Sequence, residues 1–476
     1  MLTYNLEKRG DLSLYEYLYK CIKDDILQGR IKAGDKLPSK RSFAKHLGVS
    51  TATVENAYSQ LLFEGYVNSV EKSGFYVMNL EKPKKNTDKK PMGLMEEEFE
   101  YSYFSDLRSN RLQRANFPFA TWARLMRYTI SSHDEALLKT VPYNGIYELR
   151  VALCNYLHDN KGMEVEPYQI YVGSGTEYLY SRLIQLFGTD TKWAIENIGN
   201  QKIANIYDMY NARWSFVDTD DKGPLVESLL KQSSGIVHIS PSNNFPLGNV
   251  MQVKRRQELL AWAAASSERF ILEDDYDSEF RYKGAPIEPL FSLDTAGKVI
   301  YMNTFSKTLI PSLRISFMVL PPALVERYQK KLSFYSGTVS SIEQYTLAHF
   351  IRDGYYERHI NHMRNYFRSI RESLIQAIEH SELKRIATII EPSAGTHFLL
   401  KLDTEKSDRQ LTEDIGRMDI EVAALSEYLL TNDQDTHTLV INYCGIHRER
   451  IEETVARLSK AVLTDSSTIN LEKRIR

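Results

Sequence analysis

Cysteine is scarce: Cys21, Cys154 and Cys444 are the only three in 476 residues, far apart and odd in number. That argues against a disulfide framework and a cysteine zinc site, and points to a reducing compartment. No run of about 18 apolar residues occurs, and no basic stretch followed by an apolar core opens the chain, so the expectation is a cytoplasmic protein with no membrane partner. Charge excess is missing too: 60 Lys and Arg stand against 62 Asp and Glu, a net −2, so any nucleic-acid surface must be local. What is present is length and 42% hydrophobic composition, enough for more than one core and for a small domain beside a large one.

The first 78 residues read as a small helical domain. Leu14, Leu18, Ile22 and Ile26 recur at helical spacing, and Gly29 ends that helix. A second helix carries Phe43, Ala44 and Leu47 and stops at Gly48. Ser50 caps a third, whose apolar face is Val54, Ala57, Tyr58 and Leu61 and which closes at Gly65. Two helices joined by Gly48-Val49-Ser50 make a helix-turn-helix, and Tyr66-Val67 with Phe75-Tyr76-Val77 read as a β-hairpin wing. Between Glu81 and Pro91 lie five lysines, two prolines and almost nothing apolar, followed by Glu96 to Glu98. Such a stretch builds no core, so residues 79–98 are expected to be a linker.

From residue 99 to 465 the pattern alternates short apolar runs with amphipathic helices, and 466–476 is left as a tail. The runs Gln169–Val172, Ile236–Ile239, Phe270–Leu272, Val299–Met302 and Ile315–Leu320 predict an α/β fold with a mainly parallel sheet, whose ligands bind beyond the carboxyl ends of the strands. Chemistry-bearing residues stand at those ends. Gly173-Ser174-Gly175-Thr176 opens a helix and suits an anion. Glu273-Asp274-Asp275-Tyr276 crowds carboxylates that need a cation; a protonated ring nitrogen is one, whereas a magnesium site lacks a second acidic cluster to complete its oxygen ligands, so no metal is expected. Lys307 follows a buried run, where lost hydration favours a neutral amine able to condense with an aldehyde, and Arg314 stands seven residues on. Lysine plus phosphate clamp suggests pyridoxal phosphate.

Two resemblances sharpen this. Leu37-Pro38-Ser39-Lys40-Arg41 with Gly48-Val49-Ser50 resembles the DNA-binding domain of the GntR family. The resemblance implies backbone-phosphate contacts from Lys40 and Arg41, base contacts from Thr51, Thr53 and Asn56, and further DNA contacts from Ser39, Ser50 and the wing residue Lys72. A winged helix used for protein contacts is the alternative. The third helix has no Lys or Arg from Thr51 to Glu64, which predicts weak non-specific binding. The set of Ser174, Gly175 and Thr176, then Asp274 and Tyr276, then Thr304, Ser306, Lys307 and Arg314 resembles the fold-type I aminotransferases, as do Tyr143–Arg150 and Ser240–Pro246 with Asn243. The combination is similar to the MocR subfamily of bacterial regulators, from about Leu12 to Val462.

The resemblance implies that Gly175, Thr176, Thr304 and Arg314 bind the phosphate of pyridoxal phosphate, Asp274 its ring nitrogen, Tyr276 its ring oxygen, and Lys307 its aldehyde carbon. Ser174, Ser306 and Asn243 complete the expected cofactor set. Four positions depart from the aminotransferase pattern: Asn200 for a stacking aromatic, Phe245 for an asparagine, Glu177 for glutamine, and Gly445 for the arginine that grips a substrate carboxylate. The expectation is therefore a homodimeric, DNA-binding transcription regulator rather than an enzyme, with pyridoxal phosphate itself as effector. An amino acid or amine effector remains open, with Lys202 a candidate substitute for the arginine. So do a working aminotransferase and a scaffold without cofactor.

Overall fold

The structure, a computed structural model, describes residues 2–80, 103–199, 201–220, 222–282, 287–391, 394–430 and 434–464. The chain divides into two compact units, Met1–Glu100 and Tyr101–Arg476. The linker expected at 79–98 and the tail at 466–476 lie almost wholly outside the described residues.

In the first unit α1 spans Leu14–Leu27, started by a capping box between Ser13 and Glu16. Helix α2, Lys40–Leu47, begins where the Ser39 side chain accepts from the Ser42 N–H, and ends at Gly48 with φ +67°. That left-handed residue lets the chain turn straight into α3, Thr51–Phe63, whose first turn is capped by Ser50. Leu18, Ile22, Phe43, Val54, Ala57, Tyr58 and Leu61 are fully buried, as their spacing predicts. The strands β1, Val67–Val70, and β2, Gly74–Val77, pair antiparallel with Val67 opposite Val77, and Lys72 takes φ +59° in the turn between them.

The second unit is built on a seven-stranded sheet in the order Ile170–Gly173, Ser316–Val319, Val299–Thr304, Phe270–Asp274, Ile236–Ile239, Lys192–Glu196, Arg213–Val217. Only Ser316–Val319 runs antiparallel to its neighbours. Apolar clusters cover both faces of this sheet, which is why its central strands are continuous apolar runs. Two of the seven strands escape the sequence pattern. Lys192–Glu196 is apolar only at Trp193-Ala194-Ile195, and the edge strand Arg213–Val217 is half exposed. A second sheet of four antiparallel strands, Ala387–Ile390, His397–Leu402, Thr438–Asn442 and Ala423–Ala424, forms a smaller layer of the same unit.

Candidate functional site

Six of the seven strands of the large sheet point the same way, and a cavity of about 440 Å³ opens at their carboxyl ends. Its walls are made by the turns that follow those strands and by the last strand of the small sheet.

The three adjacent carboxylates on the strand Phe270–Asp274 and just beyond it are sorted by what they meet. Glu273 accepts from the backbone N–H groups of Leu290 at 2.7 Å and Phe291 at 2.9 Å. Asp275 is held by buried Lys161 at 3.0 Å and by the Tyr301 hydroxyl at 2.7 Å. Asp274 remains for the cavity: its Oδ2 accepts from Tyr180 at 2.5 Å, while Oδ1 is buried with no hydrogen-bond partner among the described residues. A buried acceptor without a donor is costly, so Oδ1 marks where a ligand N–H belongs. Among the described residues no group of three or more His, Cys, Asp or Glu is placed to hold a metal ion.

Lys307 lies on a single helical turn, Phe305–Thr308, directly after the strand that ends at Thr304. Its Nζ sits 5.1 Å from the ring centroid of Tyr276 and 5.9 Å from that of Phe245, so two π-faces steady the amine. The Tyr276 hydroxyl donates to the Asn243 carbonyl at 3.0 Å. Asn243 itself corrects an expectation: it is buried, its side-chain amide donates to both carboxylate oxygens of Asp277 at 2.9 Å, and it does not line the cavity. Its Oδ1 is buried with no hydrogen-bond partner among the described residues.

The far end of the cavity is an anion cradle. Thr176 stands at the start of the helix Thr176–Phe187, whose free N–H groups and dipole favour negative charge. Gly175 takes φ +97°, a backbone conformation that favours glycine, and a Cβ there would fall 2.6 Å from Nη2 of Arg314, whose guanidinium passes over it. Thr304 Oγ1 accepts from the Ser306 N–H at 3.2 Å and the Ser316 hydroxyl at 2.8 Å, which leaves its own proton to donate. Ser306 lines the cavity beside it. Ser174 does not: its N–H donates to Thr338 at 3.2 Å behind the turn. Glu177 also enters the cradle, accepting from Arg314 at 3.0 Å and from Lys202.

These residues fit pyridoxal phosphate: an unpaired carboxylate oxygen for a ring N–H, a lysine for an aldehyde, and a helix N-terminus with an arginine for a phosphate. The sequence reading missed Tyr180 and His238. Tyr180 follows Thr176 by four residues and so shares its helix face, a signal present in the sequence. His238 is the one polar residue in the run Ile236–Ile239, and its Nε2 stands 3.6 Å from Asp274.

At the outer end the structure corrects Gly445. A side chain there would meet the backbone of Asp106 and Arg111 rather than the cavity. The residues of that segment which line the cavity are Val440 and Asn442, both on the strand Thr438–Asn442, and Asn442 donates to Asn110 at 2.8 Å. Neither cavity-lining residue of this strand, Val440 or Asn442, is an arginine, so no guanidinium enters the cavity from Thr438–Asn442. Arg108 also lines this end, with its guanidinium 2.8 Å from Glu427. Asn200 lies outside the described residues.

On the first unit, Arg41, Thr51, Asn56 and Lys72 are exposed. Lys40 is committed: it pairs with Glu55 of α3 at 2.6 Å and lies 5.3 Å from the Phe75 ring, tying α2 to α3 and to the wing. The pair braces the unit while 31% of the Lys40 side chain stays exposed. Ser39 and Ser50 are likewise occupied as caps, and the Thr53 hydroxyl bonds to that of Ser50 at 2.8 Å.

A helix-turn-helix with a wing and a fold-type I aminotransferase domain together define a class of transcription regulator. Residues 14–77 match the gntR family of bacterial regulatory proteins, and residues 106–471 match aminotransferase class I and II. The chain is 33% identical over 97% of its length, and 99% of the relative, to the HTH-type transcriptional regulator YdeL of Bacillus subtilis (strain 168). It is 29% identical to the probable rhizopine catabolism regulatory protein MocR of Rhizobium meliloti, covering 97% of this chain and 96% of that one. With the pyridoxine biosynthesis transcriptional regulator PdxR of Corynebacterium glutamicum the figures are 27%, 94% and 96%. Among solved structures, the multiple substrate aminotransferase of Thermococcus profundus is similar in fold, with a TM-score of 0.66, 23% identity, and coverage of 76% of this chain and 92% of that one. The chain belongs to the MocR subfamily of GntR-type transcription regulators.

Proposed function

We propose that this regulator holds pyridoxal phosphate in the cavity and uses the cofactor itself as its signal, with the winged helix binding an operator as part of a homodimer. The observation that carries the reading is the buried Oδ1 of Asp274, without a partner among the described residues, in one cavity with Lys307, Thr176, Thr304 and Arg314. When bound, the cofactor supplies an electrophilic aldehyde and an electron-accepting ring. The chain's own residues do the rest. Asp274, kept from other donors on one oxygen, holds a proton on the ring nitrogen. Tyr180 fixes the other oxygen, and Thr176, Thr304 and Arg314 orient the phosphate.

The outer end of the cavity supports sensing over turnover. Phe245 offers no hydrogen bond, Val440 and Asn442 bring no charge from the strand Thr438–Asn442, and Arg108 is shared with Glu427. A substrate carboxylate there competes with Glu427 for Arg108, which weakens a charge-assisted pair of roughly 1.5–3 kcal/mol and leaves an amino acid poorly held for reaction. The relative named as a pyridoxine biosynthesis regulator supports the cofactor as signal. The lining by Asn110 and Asn442 keeps an amine effector without a carboxylate as a second reading. The test is a visible absorbance spectrum of the purified protein followed by an amino-donor turnover assay. Bound cofactor without turnover is the expected result. Sustained turnover with a common amino acid contradicts the regulatory reading of the domain.

A further inference from the structure

The phosphate cradle contains a carboxylate of its own. Glu177 lies in the first turn of the helix Thr176–Phe187, where the free N–H groups and the dipole favour one negative charge. Its Oε1 accepts from Nη2 of Arg314 at 3.0 Å and from Nζ of Lys202. All three side chains line the cavity, and between 41% and 58% of each is exposed, so a phosphate entering the cradle reaches the same cations. Paired with Lys202, and despite partial burial, Glu177 is held below the usual carboxylate range, which keeps it charged at neutral pH.

We infer that Glu177 competes with the cofactor phosphate for Arg314 and Lys202, lowering cofactor affinity so that occupancy follows the free concentration of pyridoxal phosphate, and that Lys202 is a second phosphate-binding cation. The inference rests on the cofactor acting as signal. An enzyme benefits from a permanently seated cofactor, whereas a sensor whose ligand never leaves reports nothing, because only a ligand that exchanges shifts a population. One carboxylate near a phosphate at this degree of exposure costs roughly the energy of a screened pair, which is about fivefold in affinity. Glutamine at the same position keeps a hydrogen-bond acceptor for Arg314 and removes the charge.

The experiment titrates full-length apoprotein of wild type, Glu177→Gln and Lys202→Gln with pyridoxal phosphate, with pyridoxal, and with inorganic phosphate as competitor, reading cofactor absorbance. Glu177→Gln is expected to bind pyridoxal phosphate about fivefold more tightly, with inorganic phosphate competing better by a similar factor and pyridoxal affinity unchanged. Lys202→Gln is expected to weaken pyridoxal phosphate alone. An equal gain for pyridoxal, or an affinity for pyridoxal phosphate unchanged or weaker in Glu177→Gln, overturns the inference. An inert Lys202→Gln overturns its place in the cradle. DNA affinity is measured on the same samples. If Glu177→Gln tightens the cofactor while apo and holo forms bind DNA alike, the signalling role fails and the competition stands. The reverse pattern sinks only the competition.

Discussion

The Tyr180 hydroxyl donates to Oδ2 of Asp274 at 2.5 Å, and this contact turns the second carboxylate oxygen toward the cavity with no partner among the described residues. Asp274→Asn removes the charge that holds a proton on a ring nitrogen and offers an amide instead. Cofactor affinity is predicted to fall on the order of ten- to a hundredfold, the value of a charge-assisted hydrogen bond. Tyr180→Phe, which frees Oδ2 without removing the charge, is predicted to cost less. Absorbance titration of both variants checks the order, and a larger loss for Tyr180→Phe contradicts the assignment.

Lys307 is the lysine whose amine stands beside the Tyr276 and Phe245 rings in the cavity. Lys307→Ala is expected to fold with unchanged circular dichroism. Borohydride treatment should then fix cofactor covalently to wild type at Lys307 and to the variant not at all, as read by peptide mass. Labelling at Lys202 or another lysine in wild type contradicts the role.

Arg41 and Lys40 are neighbours with different fates. Arg41 is exposed on α2, whereas Lys40 is paired with Glu55. Arg41→Ala is predicted to weaken all DNA sites alike and to reduce the salt slope of binding by about one. Lys40→Ala should leave the slope nearly unchanged and alter stability by less than about 1 kcal/mol, as expected for an exposed pair. A change of preference at one base pair in Arg41→Ala, with the slope intact, makes it a base reader instead.

His397 is buried beside Phe245, with Nε2 2.7 Å from the Pro246 carbonyl oxygen. Burial pushes its imidazole down to about 4, with the Lys307 charge adding to the effect against the hydrogen bond to Pro246. The folded value lies below the ordinary 6.5, so the stability it contributes is fully present above pH 6.5 and is lost as pH falls toward 4. The full swing is on the order of 3 kcal/mol. The thermal midpoint of wild type should fall more steeply than that of His397→Asn between pH 7 and pH 4.5. Parallel curves contradict the shift.

The sequence was legible where one local force decides the outcome. Ser39, Ser50 and Gly48 set the ends of α2 and α3 by capping and by a left-handed turn, and those ends lie where the residue types put them. The continuous apolar runs before Asp274 and Lys307 placed both groups at strand ends for the same reason. Where tertiary pairing decides, sequence reasoning fell short. Lys192–Glu196 is a strand because it lies between two others, although its own apolar core is three residues long. Asn442 rather than Gly445 reaches the cavity because the strand Thr438–Asn442 is registered against His397–Leu402, with Asn442 opposite His397. Lys40 looked like a free cation because its partner Glu55 is fifteen residues away on another helix.

The central claim is that cofactor occupancy controls DNA binding. The most direct measurement is the affinity and footprint of full-length apoprotein on the DNA upstream of its own gene, titrated with pyridoxal phosphate and then, on the holoprotein, with amino acids. A ligand drives such a switch only by binding one arrangement of the dimer better than the other, so a tenfold change in operator affinity needs about 1.4 kcal/mol of differential cofactor binding. The account predicts that pyridoxal phosphate alone changes the affinity or the footprint, and that amino acids add nothing. Identical behaviour of apo and holo forms, with a change only when an amino acid is added, would contradict it.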